Sequence, residues 1–140
     1  MPSENLELVR SVFAAWELGD FSNTEWADPE IAFVVADGPQ PGTWTGHAGM
    51  AEANRETLDA WEDVRILVDE YRELDAERML VLIRRSARGK GSGLKIAATV
   101  RTQGAILFRI NGGKVTRLVL YWDRDRALSD LGLAREADSA

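Results

Sequence analysis

Three titratable side chains lie at positions from which they could transfer protons. Asp37 follows an apolar run and precedes a loop rich in Gly and Pro, Asp123 closes the last apolar run, and His47 is the only histidine. A carboxylate in an apolar site can act as a general base, and an imidazole titrates near neutral pH. These residues predict acid–base catalysis. The alternatives are a turn-forming Asp37, an N-cap role for Asp123 and a solvent-exposed ring for His47.

Two polar residues could anchor a ligand. Arg101 follows the small, apolar run 96–100, and Gln103 comes two positions later on the same face of the expected strand. If that face points inward, Arg101 is a buried cation and must meet a carboxylate from Asp37, Asp123 or a ligand. If the face points outward, both residues are expected to make dimer contacts.

The aromatic residues supply candidate walls for an apolar pocket. The sequence contains five tryptophans, a high number for 140 residues. Trp44 lies in a segment of Gly, Pro and Thr where no periodicity predicts burial, so it is a candidate lid or rim. Ordinary core packing is the alternative for each ring. Room inside the fold is indicated by the small side chains of Ala97, Ala98 and Ala105. The predicted ligand-contacting aromatics are Trp16, Phe33, Trp44, Trp61 and Tyr121.

Composition and charge exclude several classes of protein. No Cys and a single His rule out thiolate ligands and a His-rich cluster, so neither a transition metal nor a cofactor is expected. A net charge of −6 disfavours nucleic-acid binding, although the run from Arg84 to Lys90 is either a local anion patch or a solvated strand end. No run approaches the roughly 20 apolar residues of a membrane span. The N-terminus lacks the features of a signal peptide, so we expect a cytoplasmic protein.

Hydrophobic spacing predicts helices in the first half of the chain. An amphipathic helix is predicted over residues 3–18, with Ser3 as cap, Gly19 as stop and an inner face of Leu6, Val9, Phe13 and Trp16. A second short helix is predicted over 20–28, ended by Pro29, with inward rings Phe21 and Trp26. A third starts near His47, with one face formed by Met50, Ala53, Thr57 and Trp61. A final helix is predicted over 124–131, ended by Gly132.

Alternation and β-branched content predict strands elsewhere. The first covers residues 30–35 and is followed by a loop over 37–42, and the later strands cover 63–74, 78–88, 94–110 and 114–123. The glycine-rich segments 89–93 and 111–113 are predicted to be hairpin turns. Helices first and long hairpins afterwards favour an α+β fold over a doubly wound sheet. Because long strands twist, this sheet should curve around an apolar interior.

Short motifs occur in a fixed order along nearly the whole chain. They are Glu4-Asn5-Leu6-Glu7-Leu8-Val9-Arg10, Gly19-Asp20-Phe21, Asp28-Pro29-Glu30-Ile31, Gly46-His47-Ala48-Gly49-Met50, Gly113-Lys114-Val115 and Tyr121-Trp122-Asp123-Arg124. Their order and spacing resemble the NTF2-like superfamily and, within it, the SnoaL-like domains. The resemblance implies an α+β cone, in which a curved mixed or antiparallel sheet wraps around about three helices and a central pocket. It also implies one domain over 1–133, with 134–140 as a frayed tail, and a homodimer through the sheet face.

The resemblance also implies roles for the polar residues. The stretch around Asp37 is similar to ketosteroid isomerase, whose general base is such an aspartate, although the first helix offers Phe13 and Trp16 where that enzyme has a tyrosine. Asp123 lies where SnoaL-like cyclases contribute an acid–base aspartate. Epoxide hydrolases of the superfamily use an Asp-Arg-Asp set, but the spacing around Arg101 does not match theirs.

Two functions follow as predictions. The first is a cofactor-independent isomerase or cyclase type of enzyme acting on a small apolar, cyclic or polyketide-like molecule. The second is a non-catalytic module for ligand binding or dimerisation.

Overall fold

The computed structural model of the chain describes residues 4–18, 25–37, 41–89 and 99–133, without the side chains of 57–64, 87, 89 and 99–102. Within these residues the chain forms three helices and one sheet of six strands. The helices are α1 Glu4–Glu17, α2 Gly46–Ala60 and α3 Arg124–Asp130. The strands are β1 Ala27–Val35, β2 Gly42–Thr45, β3 Trp61–Glu73, β4 Arg78–Gly89, β5 Thr99–Asn111 and β6 Lys114–Tyr121. No described helix is long and apolar enough to span a membrane.

The sheet is open and mixed, with strand order β2-β1-β6-β5-β4-β3. Strands β3 to β6 are joined in sequence as antiparallel neighbours, and β2 is antiparallel to β1. Strand β1, however, runs parallel to β6, with Phe33 opposite Leu118 and Val35 opposite Leu120. This pairing makes the sheet mixed rather than purely antiparallel, and it brings the first strand against the last.

Successive residues of each strand point to opposite faces, which gives the sheet two apolar layers. We call the side that contacts α1 and α2 the inner face and the opposite side the outer face. The inner face carries Ile31, Phe33, Val81, Ile83, Ile106, Phe108, Leu118 and Leu120, which pack with Val9, Phe13 and Met50 of the helices. The outer face carries Leu80, Leu82, Ala105, Val119 and Tyr121, covered by Ala127 and Leu128 of α3. The inner layer is therefore the main core, and α3 closes a smaller one.

The predicted short helix over residues 20–28 is wrong at its end. Ala27 and Asp28 belong to β1, and positions 20–24 lie outside the described residues. The carbonyl of Trp26 accepts a hydrogen bond from the amide of Val115 at 2.9 Å, which draws this segment toward β6. The register of β1 shifts between Ala27 and Ala32, so Pro29 lies in the irregular stretch where a missing amide is tolerated.

Other boundaries agree with the sequence to within a few residues. The two-residue turn between β5 and β6 has Gly112 at φ 59° and Gly113 at φ 78°, both in the left-handed region that such hairpins require. Gly132, at φ 70°, ends α3 as predicted, and the amide of Leu133 bonds the carbonyl of Leu128. Residues 90–98, which include most of the other predicted hairpin, lie outside the described residues. Strand β2 was not predicted, because it has only four residues and begins with a glycine directly after Pro41.

A bulge in β3 is held by an arginine from α3. The register between β3 and β4 shifts between Val68 and Glu70, which leaves Asp69 as the extra residue. Arg124 donates to Asp69 Oδ2 at 2.8 Å, to the Ile83 carbonyl at 2.7 Å and to the Gly104 carbonyl at 3.3 Å. Arg84 donates to the other oxygen of Asp69 at 2.8 Å. One guanidinium thus ties α3 to β3, β4 and β5.

We expect Gly104→Ala to lower the free energy of unfolding by about 1–3 kcal/mol, the usual cost of overpacking. A Cβ at this position would lie 2.4 Å from the carbonyl oxygen of Tyr121 on the neighbouring strand. Urea denaturation measures the change. The control is Gly112→Asn, where nothing lies within 4 Å and Asn tolerates the positive φ. Equal stability of Gly104→Ala and the natural protein would contradict this packing.

The ion pair of Asp69 with Arg124 should make the fold sensitive to acid. The hydrogen bond from Arg124 is the main cause that lowers the pKa of Asp69 below its ordinary 3.8. A lowered pKa contributes stability that is complete above the unfolded value and is lost as the pH falls through the folded value. We therefore expect Asp69→Asn to be less stable than the natural protein at pH 7, with a difference that shrinks below about pH 4. Urea denaturation at several pH values tests this, and a constant difference would contradict it.

Candidate functional site

One end of the inner face carries a cation among apolar side chains. On β4, Met79, Val81 and Ile83 belong to the inner core, and Arg85 is the next residue of the same alternation. Arg85 pairs across the sheet with Ile66 of β3, which packs half-buried against the inner core. The guanidinium therefore belongs to the inner face, at the end of the sheet where β1 and β6 finish.

Trp122 covers this arginine. It follows β6 with the same parity as Leu118 and Leu120, and its ring centroid lies 5.1 Å from the guanidinium carbon of Arg85. Arg85 as a residue is half-buried, but its Nε is enclosed and has no hydrogen-bond partner among the described residues. No carboxylate of the described part of the chain forms a salt bridge with it.

Burial lowers the pKa of Arg85 to about 10, with no neighbouring charge as a contributing cause. The group is still protonated at neutral pH. Stacking on a tryptophan is worth about 0.5–2 kcal/mol, whereas removing an ion from water costs several kcal/mol. Among the described residues, the ring of Trp122 is therefore the only group that offsets the cost of burying this cation, and it offsets only part of that cost.

Asp37 joins the end of β1 to the start of the α3 segment. Its Oδ1 accepts the amide of Trp122 at 2.6 Å, and its Oδ2 accepts the amide of Asp123 at 3.3 Å. The carboxylate is half-buried and both of its oxygens are engaged. It is therefore neither a simple turn former nor a free base, and its bonds position Trp122 over the inner face.

The other two proton-transfer candidates also bond the backbone. Asp123 is exposed and is the N-cap of α3, where its Oδ1 accepts the amide of Asp125 at 3.0 Å, so the capping alternative is confirmed. His47 lies in the first turn of α2, and its Nε2 is 2.9 Å from the carbonyl oxygen of Ala27. Because a carbonyl only accepts, Nε2 carries a proton, and the half-buried ring ties α2 to β1 instead of lying free in solvent.

Aromatic residues line the inner side in two groups. Trp16 packs edge-to-face with Phe13 at 5.0 Å and with Trp26 at 6.1 Å, between α1 and the start of β1. Phe33 packs edge-to-face with Trp44 at 6.1 Å. Trp44 belongs to strand β2 and not to a loop, because it pairs with Phe33 of β1. Trp16 and Trp44 are only partly buried against the inner core, so both keep accessible apolar surface.

Of the remaining predicted ligand contacts, Tyr121 and Gln103 do not belong to this group. Tyr121 belongs to the outer layer, since it differs by one residue from the inner parity of Leu120. Gln103 is exposed and has the outer parity of Ala105. The backbone of Arg101 pairs with Ser86, and Trp61 is the first residue of β3 and not part of the predicted helix face, but both side chains lie outside those described.

Arg85 is the site residue that sequence reasoning missed. In the sequence it is one of several basic residues between Arg84 and Lys90, and the run as a whole does not distinguish it from Arg84. The alternation of Met79, Val81 and Ile83 was a usable signal, because it continues to Arg85 and leaves Arg84 on the opposite face. Arg84 indeed bonds Asp69, so the two neighbouring arginines have different surroundings.

Comparison with known proteins identifies the fold. No protein-family model and no curated protein matches the sequence. Among solved structures, TerC co-crystallised with polyporic acid matches at a TM-score of 0.74 and 22% identity, covering 92% of this chain and 98% of TerC. An NTF2-like protein from Burkholderia pseudomallei matches at a TM-score of 0.76 and 18% identity, covering 91% of this chain and 97% of that protein. A protein with a ketosteroid isomerase-like fold from Catenulispora acidiphila, in complex with trimethylamine, matches at a TM-score of 0.70 and 19% identity. The match covers 91% of this chain and 94% of that protein.

Further matched structures are described as proposed SnoaL-like polyketide cyclases from Jannaschia and Shewanella putrefaciens, at 14% and 13% identity. At these identities the likeness concerns the fold. The predicted α+β cone is confirmed, and the resemblance to NTF2-like and SnoaL-like proteins is confirmed with it.

We expect Asp37→Ala to lower the free energy of unfolding by about 1–3 kcal/mol, because two amides lose a charged acceptor. The Trp122 ring should then lose its fixed position, which shifts the tryptophan emission spectrum. Chemical denaturation followed by fluorescence measures both effects. The control is Glu30→Ala, which removes an exposed carboxylate from the same strand. A variant as stable as the control, with an unchanged spectrum, would contradict the role assigned to Asp37.

Proposed function

We propose that this chain, which has the NTF2-like fold, binds a small, apolar, ring-containing molecule between the inner face of the sheet and helices α1 and α2. The observation that carries the proposal is the set of apolar side chains that pack against the inner core yet keep accessible surface. They are Leu6, Leu8, Trp16, Val35, Trp44, Ile66, Val68 and Tyr71. A small-molecule site is typically concave and apolar with few polar groups, and this lining has that character.

The arrangement of polar groups supports a binding function first. Asp37, Asp123 and His47 each bond a backbone group, so each has a structural role that a binding protein also needs. Two neighbours in fold have small molecules in their structures, namely polyporic acid in TerC and trimethylamine in the Catenulispora acidiphila protein. Their fold supports a site for a small molecule on the inner side of this sheet.

A cofactor-independent isomerase or cyclase activity on the same molecule is the second candidate. The position of Asp37 favours it, because the half-buried carboxylate lies at the end of β1, beside the Trp122 that covers Arg85. Product formation that survives in Asp37→Asn would eliminate Asp37 as the base.

We also propose that the protein forms a homodimer through the outer face of the sheet. Its support is the exposed Leu67, 54% accessible on the outer face of β3, in one row with the exposed Arg84 of β4 and Gln103 of β5. Analytical ultracentrifugation of the natural protein and of Leu67→Glu tests the contact.

We expect steroids, aromatic polyketides or ring-bearing epoxides to raise the melting temperature. A ligand at 100 times its Kd stabilises the native state by about 2.7 kcal/mol, which is several degrees for a domain of this size. Ile66→Trp fills the inner side and should weaken binding at least tenfold. The control is Leu67→Trp, which adds the same ring to the outer face at the next position and should bind normally.

The screen also has a clear negative outcome. Failure of every compound class to shift the melting temperature of the natural protein would contradict the proposed function. Equal affinity of Ile66→Trp and Leu67→Trp would place the ligand elsewhere on the molecule.

A further inference from the structure

Arg85 has an environment that suits a partner absent from the protein itself. Its Nε is buried without a hydrogen-bond partner among the described residues, and only an aromatic ring covers the guanidinium. Next to it in sequence, Arg84 has the opposite situation, with its Nε 2.8 Å from Asp69 Oδ1 and its side chain 58% exposed. Among the described residues, a carboxylate pairs with the exposed arginine and none pairs with the enclosed one.

We propose that Arg85 and Trp122 recognise an acidic group, a carboxylate in planar conjugation with a ring, on the molecule whose binding is proposed above. The inference rests on that proposed function and names the chemistry of its ligand. An arginine presents parallel N–H donors that match the two oxygens of a carboxylate, and Nε is one of those donors. The indole of Trp122 offers a flat apolar surface on which the ring of such an acid can pack.

Several observations favour a single carboxylate over a phosphate. One guanidinium faces the inner side at this position, and its partner Ile66 on β3 and Ile83, two positions before it on β4, are apolar. A phosphate carries up to two charges and several oxygens that need donors, which these described side chains do not supply. The net charge of −6 further disfavours a dianion. A monoanion attached to an apolar ring fits both the cation and its surroundings.

Asp37 determines whether this site exists. Its bonds to the amides of Trp122 and Asp123 hold the indole where it stacks on Arg85. Asp37 is therefore a positioning residue for the ligand site, acting through Trp122. Loss of the Asp37 carboxylate should weaken binding of an aromatic acid, because the Trp122 ring is then no longer held over Arg85. Trp122→Leu should weaken binding to a similar extent, although Asp37 can still accept the two backbone amides.

The test compares 2-naphthoate with its neutral isostere 2-naphthamide by isothermal titration and by quenching of tryptophan fluorescence. We expect the natural protein to bind the carboxylate at least tenfold more tightly than the amide. Arg85→Met should abolish this preference and keep the affinity for the amide, while Arg84→Met, the matched control, should keep the preference. Without ligand, Arg85→Met should melt at a higher temperature, because an enclosed charge is replaced by an apolar chain of similar length.

Each outcome separates this inference from the proposed function. Equal affinity for the two compounds in the natural protein overturns the acidic-group inference and leaves the apolar binding site standing. Binding of neither compound, together with a negative ring-compound screen, overturns the proposed function itself. Tighter binding of inorganic phosphate than of 2-naphthoate overturns the carboxylate in favour of a phosphate ligand. The comparison in the natural protein needs no variant, so poor folding of Arg85→Met would not affect it.

Discussion

The parallel pairing of β1 with β6 joins two parts of the chain that are far apart in sequence, and the inner side of the molecule depends on it. Strands β3 to β6 can pair as consecutive hairpins, but β2 pairs only with β1, and α2 has its most extensive contact with the sheet at β1. The ladder continues past β1 through the amide of Ala36 to Leu120, and it ends where the carboxylate of Asp37 takes two amides beyond β6. The attachment of β2 and the main contact of α2 with the sheet therefore depend on a single strand boundary.

Much of this fold could be predicted from the sequence because its signals are local. The amphipathic spacing of α1, the alternation of β4 to β6 and the Asn111-Gly112-Gly113 turn each lie within one element and its neighbour. The parallel contact of β1 could not be derived that way, since it depends on residues more than 80 positions apart, such as Asp37 and Trp122. The helix expected over 20–28 is wrong at its end for the same reason, because a bond from Val115 to the Trp26 carbonyl draws that segment toward β6.

The candidate site was predicted less well than the fold. Carboxylates and an imidazole were selected for their chemistry, yet sequence does not show whether Asp37, Asp123 and His47 face a ligand or bond the backbone. The alternation of strand residues between the two faces of the sheet is the signal that identifies the site. Because strand residues alternate, a difference of one position decides that Arg85 faces the inner side while Arg84 bonds a bulge aspartate, and that Leu120 and Tyr121 belong to different layers.

The topology also bears on how the molecule reaches its native state. Contacts between successive strands close short loops, whereas docking of β1 beside β6 closes a very long one and is entropically slower. We expect the hairpins from β3 to β6 to assemble first, as a sheet whose apolar inner face is still exposed to solvent. The N-terminal third of the chain should dock afterwards. During that interval the partly folded chain would tend to aggregate. Electrostatic repulsion between chains, which arises from the excess of acidic residues, would oppose this aggregation.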